Sequence, residues 1–182
     1  MRIVSGTHRG RRFHPPKNLP VRPTTDFAKE GLFNILRNYK DISSTSVLDL
    51  CAGTGNMTYE FASRGASSIV AVDQNLACIK YIKQVIHEFE FTQIRPLKLE
   101  LFAFLKKLNE KYDIIFADPP YALDGVENLP DLILSKNSLN KGGLLVIEHG
   151  KEISFKDHAC FSSTRKFGNV NFTFFEPNIV ST

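Results

Sequence analysis

The sequence predicts an α/β fold: a mostly parallel, seven-stranded sheet that closes with an antiparallel C-terminal hairpin. Three observations carry this prediction. Short apolar runs at Ser46–Cys51, Ser68–Val72, Ile94–Leu99, Tyr112–Ala117 and Gly143–Ile147 alternate with helical stretches near 56–64, 75–89, 101–109 and 126–135. Strands and helices of these lengths require right-handed crossovers and a parallel sheet covered on both faces. The tail breaks the alternation, because Ala159–Lys166 and Val170–Glu176 are strand-like runs joined at Phe167-Gly168-Asn169, a hairpin turn. Finally, a glycine-bearing turn, Gly53-Thr54-Gly55, follows the first apolar run, where open α/β sheets bind ligands.

The elements ahead of that sheet follow from local chemistry. Ile3-Val4-Ser5 and Arg11-Arg12-Phe13, separated by Gly6 and Gly10, are expected to form a small hairpin. Pro15, Pro16, Pro20 and Pro23 then block regular structure until Thr24 or Thr25, either of which can cap a helix. Ala28, Leu32, Ile35, Leu36 and Tyr39 recur at three- and four-residue spacing, so that helix has one apolar face. Residues 1–22 therefore read as a basic arm, of which 1–16 are expected to be removable without loss of cofactor binding, and 23–182 as the main domain.

Composition narrows the classes. A chain of 182 residues with 42% hydrophobic and 23% charged residues suits one globular domain with a small appendage. No run approaches the roughly 18 apolar residues of a membrane span, and the N-terminus lacks the apolar stretch of a signal peptide. Cys51, Cys78 and Cys160 are odd in number and far apart. That argues against a disulfide framework or zinc site and points to the cytoplasm. The net charge of +4 is unevenly spread: no acid precedes Asp26, whereas Arg2, Arg9, Arg11, Arg12, Lys17 and Arg22 do. These six leave 17 of the 23 basic residues against 19 acidic ones in the remainder. Such an arm reads either as a contact for a polyanion, whose counterions Lys and Arg displace, or as a solvated tail. His8 and His14 lie in it, and His87, His149 and His158 lack metal-ligand spacing, so no metal is expected.

The segment Asp49-Leu50-Cys51-Ala52-Gly53-Thr54-Gly55-Asn56 places an acid ahead of a GxG turn that opens a helix. A dinucleotide fingerprint would need glycine at position 58, which is Thr58. An acid before GxG suits a cofactor with a cationic amino-acid end and no pyrophosphate, namely S-adenosylmethionine. Asp73 ends the next strand, ahead of Gln74, placed to accept from both ribose hydroxyls or to cap the following helix. Glu100, followed by Leu101, either receives an adenine amino group or marks a helix start.

Asp118-Pro119-Pro120-Tyr121 follows the apolar strand Ile114–Ala117. Two prolines fix an extended turn and remove its N–H groups. A carboxylate, outward carbonyls and an aromatic ring remain. That inventory matches methylation of an exocyclic amino group, whose lone pair is delocalised into the base. Asp118 and the Pro119 carbonyl can accept its two N–H bonds, and Tyr121 can stack on an extruded base. Cys51 is packing rather than a nucleophile, because amine methylation needs no covalent enzyme intermediate.

On these residues the sequence resembles the bacterial 16S rRNA guanine-N2 methyltransferases of RsmD type, with a Rossmann-like S-adenosylmethionine fold, across nearly its full length. Arg2–Gly6 with Gly10–Phe13, Arg22-Pro23-Thr24-Thr25-Asp26 with Leu32–Leu36, Asp49–Gly55, Arg64–Ala66, Asp118–Tyr121 and Glu148-His149 carry the likeness. Cys51, Asp73, Glu100 and Phe167 depart from the family's usual residues while keeping charge or apolar character. The resemblance implies methyl transfer to N2 of one guanine, guanine-966 in bacterial rRNA numbering, in 16S rRNA of a complete or assembling small ribosomal subunit. Nothing in the sequence demands a partner subunit, so a monomer is expected, and Arg2, His8, Arg9, Arg11, Arg12, Arg22, Thr24 and Thr25 are expected to touch RNA. Three other readings compete: an adenine-N6 DNA methyltransferase, which needs a separate recognition region; a protein-glutamine methyltransferase, which wants Asn at 118; and a non-catalytic RNA-binding assembly factor.

Overall fold

The computed structural model describes residues 1–16, 19 and 24–177. Arg22, with Lys17, Pro20 and Pro23, lies outside the described residues. Helix α1 (Asp26–Tyr39) precedes the sheet, with Thr25 as its cap: the Thr25 hydroxyl accepts from the Ala28 N–H. Its buried face is Ala28, Lys29, Leu32, Phe33 and Leu36. The face expected from Ile35 and Tyr39 is therefore rotated toward Lys29 and Phe33, and Tyr39 stacks from outside on Phe174, ring centres 5.9 Å apart.

Five crossover-connected strands follow: β1 (Ser46–Leu50), β2 (Ser68–Asp73), β3 (Ile94–Lys98), β4 (Tyr112–Ala117) and β5 (Leu139–His149). The helices between them are α2 (Asn56–Ser63), α3 (Leu76–Phe89), α4 (Leu101–Lys107) and α5 (Leu129–Leu134), the last led in by a 3₁₀ turn at Val126–Asn128. Strands β6 (Phe161–Phe167) and β7 (Val170–Phe175) form the closing hairpin. The sheet order is β3-β2-β1-β4-β5-β7-β6, and β7 runs antiparallel to both neighbours. Most strand and helix ends fall within two residues of expectation, and β1 and β5 show why some move. Strand β1 stops at Leu50, because Cys51 turns with φ +61°, and β5 starts early across a register shift and runs on to His149. The expected alternation of strand and helix holds because both faces of the sheet carry apolar side chains. Ile69, Ala71, Phe116 and Val146 pack under α1, α2 and α3, while Val70, Ile115 and Leu145 pack under α4 and α5. Each fully buried large side chain contributes about 1.5–3 kcal/mol.

The N-terminal hairpin forms, with Arg2 bridged to Arg12, but it is not a free arm. Ile3 and Phe13 are buried in the same core as α1 and α2. Glu60 of α2 accepts from the Val4 and Ser5 N–H groups at 2.8 and 3.1 Å, and buried Lys29 donates to the Arg2 carbonyl at 2.6 Å. Gly6, at φ +86°, lies so close to α2 that a Cβ would fall 1.9 Å from the Ser63 carbonyl oxygen. Consequently all eight residues of α2 are buried. Deletion of the arm would expose that helix.

Candidate active site

The carboxyl ends of β2, β1 and β4 converge on a cavity of about 370 Å³, within the roughly 300–1,000 Å³ of small-molecule sites. Cys51, Ala52, Gly53 and Thr54 form its floor, Asp73, Gln74 and Asn75 one wall, Glu100 and Leu101 another. Asp118, Pro119, Pro120 and Tyr121 close the far side. Twelve of the fifteen residues expected from sequence to bind cofactor or act in catalysis therefore meet here. Asp49, Gly55 and Asn56 do not line the cavity. Gly55 shapes the turn from behind: at φ +83° it ends the loop at α2, and a Cβ on it would meet the Tyr59 ring at 2.5 Å. Asn56 faces inward, donating to the Thr24 carbonyl and accepting from Lys29.

Asp49 is 1% exposed and accepts from the Thr58 hydroxyl through one oxygen. Its Oδ1 and the Tyr59 hydroxyl are buried beside the glycine turn with no hydrogen-bond partner among the described residues. Burial, opposed by the Thr58 bond, pushes the Asp49 carboxyl up to about 7. Asp73 holds the loop: Oδ2 accepts from Gly53 N–H at 2.8 Å and Oδ1 from Asn75 N–H at 2.7 Å. Burial raises this carboxyl as well. Asn75, not Asp73, caps α3. Glu100 caps α4, accepting from Phe102 and Ala103 N–H, while still bordering the cavity. Burial and the surrounding acids push the Cys51 thiol up, so it stays protonated and is no nucleophile.

At the far wall, Asp118 N–H donates to the Leu50 carbonyl at 3.2 Å, tying the reaction loop to β1. Burial, then the Glu148 and Asp49 carboxylates, push the Asp118 carboxyl well above the usual range. Glu148 is a residue that sequence reasoning left without a role. The register pairs Ala117 with Ile147, so Asp118 and Glu148 follow side by side at the ends of β4 and β5. Buried Thr24 donates to Glu148 at 3.0 Å while its carbonyl receives Asn56, so it links the end of β5 to the start of α2. The readable signal was an acid ending each of two adjacent strands. Tyr121 lines the cavity and is 63% exposed.

The residues expected to touch RNA are spread more widely. Arg9, Arg11 and Arg12 are exposed on the hairpin. Arg11 lies 5.5 Å over the Phe89 ring, and Arg2 pairs with Asp26 at 2.6 Å. His8 packs against Phe91 at 4.5 Å rather than standing in solvent. Thr24 and Thr25 serve the contacts already described. Among the described residues no group of three or more His, Cys, Asp or Glu is placed to hold a metal, and no helix is long and apolar enough to cross a membrane.

The cavity fits S-adenosylmethionine in its donor set. It offers a strand-end Asp for ribose hydroxyls and apolar Val72, Leu99 and Leu123 for an adenine face, and the unpartnered Asp49 carboxylate oxygen is buried behind its turn. A family model described as "Conserved hypothetical protein 95" matches residues 1–176. Two relatives are each named Ribosomal RNA small subunit methyltransferase D. That of Buchnera aphidicola subsp. Acyrthosiphon pisum is 33% identical, the match covering 84% of this chain and 79% of that protein. That of Buchnera aphidicola subsp. Baizongia pistaciae is 30% identical, covering 81% and 75%. A solved structure of a hypothetical protein from Thermus thermophilus superposes with a TM-score of 0.85 at 26% identity, covering 97% of this chain and 99% of that one.

Proposed function

The chain belongs to the RsmD-type family of ribosomal RNA methyltransferases, and on that footing we propose that it methylates the exocyclic N2 of a guanine in 16S rRNA. The proposed position is guanine-966 in bacterial rRNA numbering, on the small subunit or an assembly intermediate, with the protein acting as a cytoplasmic monomer. The observation that carries this reading is Asp118-Pro119-Pro120-Tyr121 at the end of β4, facing the glycine turn across one cavity. S-adenosylmethionine, when bound, supplies an electrophilic methyl group.

The chain's own residues do the rest. Asp73 and the loop it pins orient the ribose and amino-acid end. Asp118 and the Pro119 carbonyl accept the two N–H bonds of the target amine, which localises its lone pair on nitrogen. Tyr121 stacks on the base and excludes water from that side. Asp118 must be ionised to accept, and its carboxyl is raised, so turnover increases with pH as it deprotonates. The neighbouring Glu148 charge favours return of a proton to Asp118 once the amine is methylated.

The test is methyl transfer from labelled cofactor to small subunits purified from a strain lacking the protein, followed by mapping of the modified nucleotide. One labelled N2-methylguanine is expected with the wild-type chain and none with Asp118→Ala, whose cofactor affinity stays near wild type. Label on a different base or on protein would overturn the proposal.

A further inference from the structure

Tyr121 is exposed and follows two prolines, yet its ring is seated on a defined surface. A Cβ placed on Gly150, the residue after β5, would lie 3.2 Å from Cε1 and 3.4 Å from Cδ1 of Tyr121. The ring edge thus rests against the bare α-carbon of this glycine. The φ of Gly150 lies outside the left-handed region, so its backbone does not require glycine. What a side chain there would take is space.

The seat itself is held from beneath. The Gly150 carbonyl accepts from His149 Nδ1 at 2.8 Å and from Asn171 Nδ2 of β7 at 3.3 Å. A carbonyl can only accept, so Nδ1 carries the imidazole proton, and Nε2 in turn accepts from the Thr173 hydroxyl at 2.7 Å. Thr173 also meets Thr164 of β6 at 2.8 Å. Burial lowers the basicity of His149, which keeps the ring neutral and this direction of donation fixed. The closing hairpin therefore reaches the reaction loop through one carbonyl.

We propose that Gly150, pinned by His149 and Asn171, is a positioning residue that sets the plane of the Tyr121 ring on which the target base stacks. This rests on the guanine-methylating reading above and adds to it a part for the end of β5. A methyl group at position 150 displaces the ring by a few tenths of an ångström. The other close atom, Glu152 Oε2 at 2.6 Å, is the far end of a flexible exposed side chain and moves aside.

The experiment is steady-state methylation of undermethylated small subunits by the full-length wild-type chain and by Gly150→Ala, Tyr121→Ala, the double variant and Asn171→Ala. Wild-type turnover on the same particles reports the underlying reading independently. Gly150→Ala is expected to raise KM for the particles about fivefold, within the range of a weakened base–aromatic stack. Its kcat, cofactor affinity and thermal midpoint should stay at wild-type values. In the Tyr121→Ala background the same change should add nothing. Asn171→Ala should raise KM by a smaller factor, with kcat unchanged. An unchanged KM for Gly150→Ala, or an equal penalty with and without Tyr121, would overturn the proposal even where wild-type activity is intact.

Discussion

Replacing Asp49 by Asn should make the protein more stable as pH rises, although it damages the cofactor site. Asp49 is fully enclosed and its carboxyl is pushed up to about 7 by burial, against an unfolded value of about 3.9. Between those two values the folded state holds a proton that the unfolded state has lost. Stability from this group is therefore complete below about pH 3.9 and falls by about 1.36 kcal/mol per pH unit until the folded carboxyl ionises near 7. Above that the loss levels off at about 4 kcal/mol. Asn carries no charge and can still accept from Thr58, but its amide nitrogen takes the place of the unpartnered Oδ1, a pH-independent cost of about 1–3 kcal/mol. The diagnostic is the slope, not the offset. Urea unfolding of both chains without cofactor at pH 5, 6, 7 and 8 should show the difference moving in favour of Asp49→Asn up to pH 7 and then flattening. From pH 5 to 7 that movement is about 2.7 kcal/mol, or roughly 5–10 °C in thermal melts for a chain of this size. Calorimetry at pH 8 should show the variant binding S-adenosylmethionine more weakly, because the carboxylate charge buried behind the glycine turn is gone. A stability difference that stays constant from pH 5 to 8 would refute the assignment of a buried, protonated Asp49.

Asp73→Ala should weaken S-adenosylmethionine binding by about 1–3 kcal/mol, through loss of charge-assisted hydrogen bonds and of the Gly53 anchor; titration calorimetry measures it, and unchanged affinity would remove Asp73 from the cofactor site. Substituting Arg9, Arg11 and Arg12 together by Ala should flatten the salt dependence of log affinity for rRNA by about two units if all three meet phosphates, at about 0.7 per contact. Filter binding across a salt series reads this, and an unaltered slope would leave the hairpin without a phosphate contact.

The strands, helices and cavity-facing loops were legible because they follow from period and punctuation. The glycine turn, Asp73 and the Asp-Pro-Pro-Tyr loop each end a strand, and in a parallel sheet strand ends converge without further information. The contents of α1 and the state of the hairpin were not legible. Lys29 reads as a surface residue by type, and its burial depends on Glu60, Asn56 and the Arg2 carbonyl, which lie 27 or more residues away. Similarly, Asp49, Gly55 and Asn56 sit in the motif that forms the cavity yet face behind it. Adjacency in sequence does not decide which side of a turn a side chain takes. Glu148 went unassigned because its neighbour Asp118 is brought alongside only by the register of β4 on β5.

The hairpin joins the two halves of the proposed reaction physically. Glu60 is fully buried and satisfied by two hairpin N–H groups, Arg64 at 2.7 Å and Lys29 at 3.4 Å. Burial lowers the basicity of Lys29 and the Glu60 charge opposes this, so inside the core the Lys29 charge leans on Glu60. Removing the hairpin would open a fully enclosed ion pair to solvent, take away its three backbone partners and strip Ile3 and Phe13 from the core, each worth about 1.5–3 kcal/mol of burial. The damage would reach the cofactor loop, because Lys29 also holds Asn56, the first residue of α2, and Thr54 donates to the Met1 sulfur. A truncated chain would thus lose cofactor binding for reasons unrelated to RNA. For this reason the RNA contact must be probed at the exposed guanidinium groups, with the backbone of the hairpin left in place.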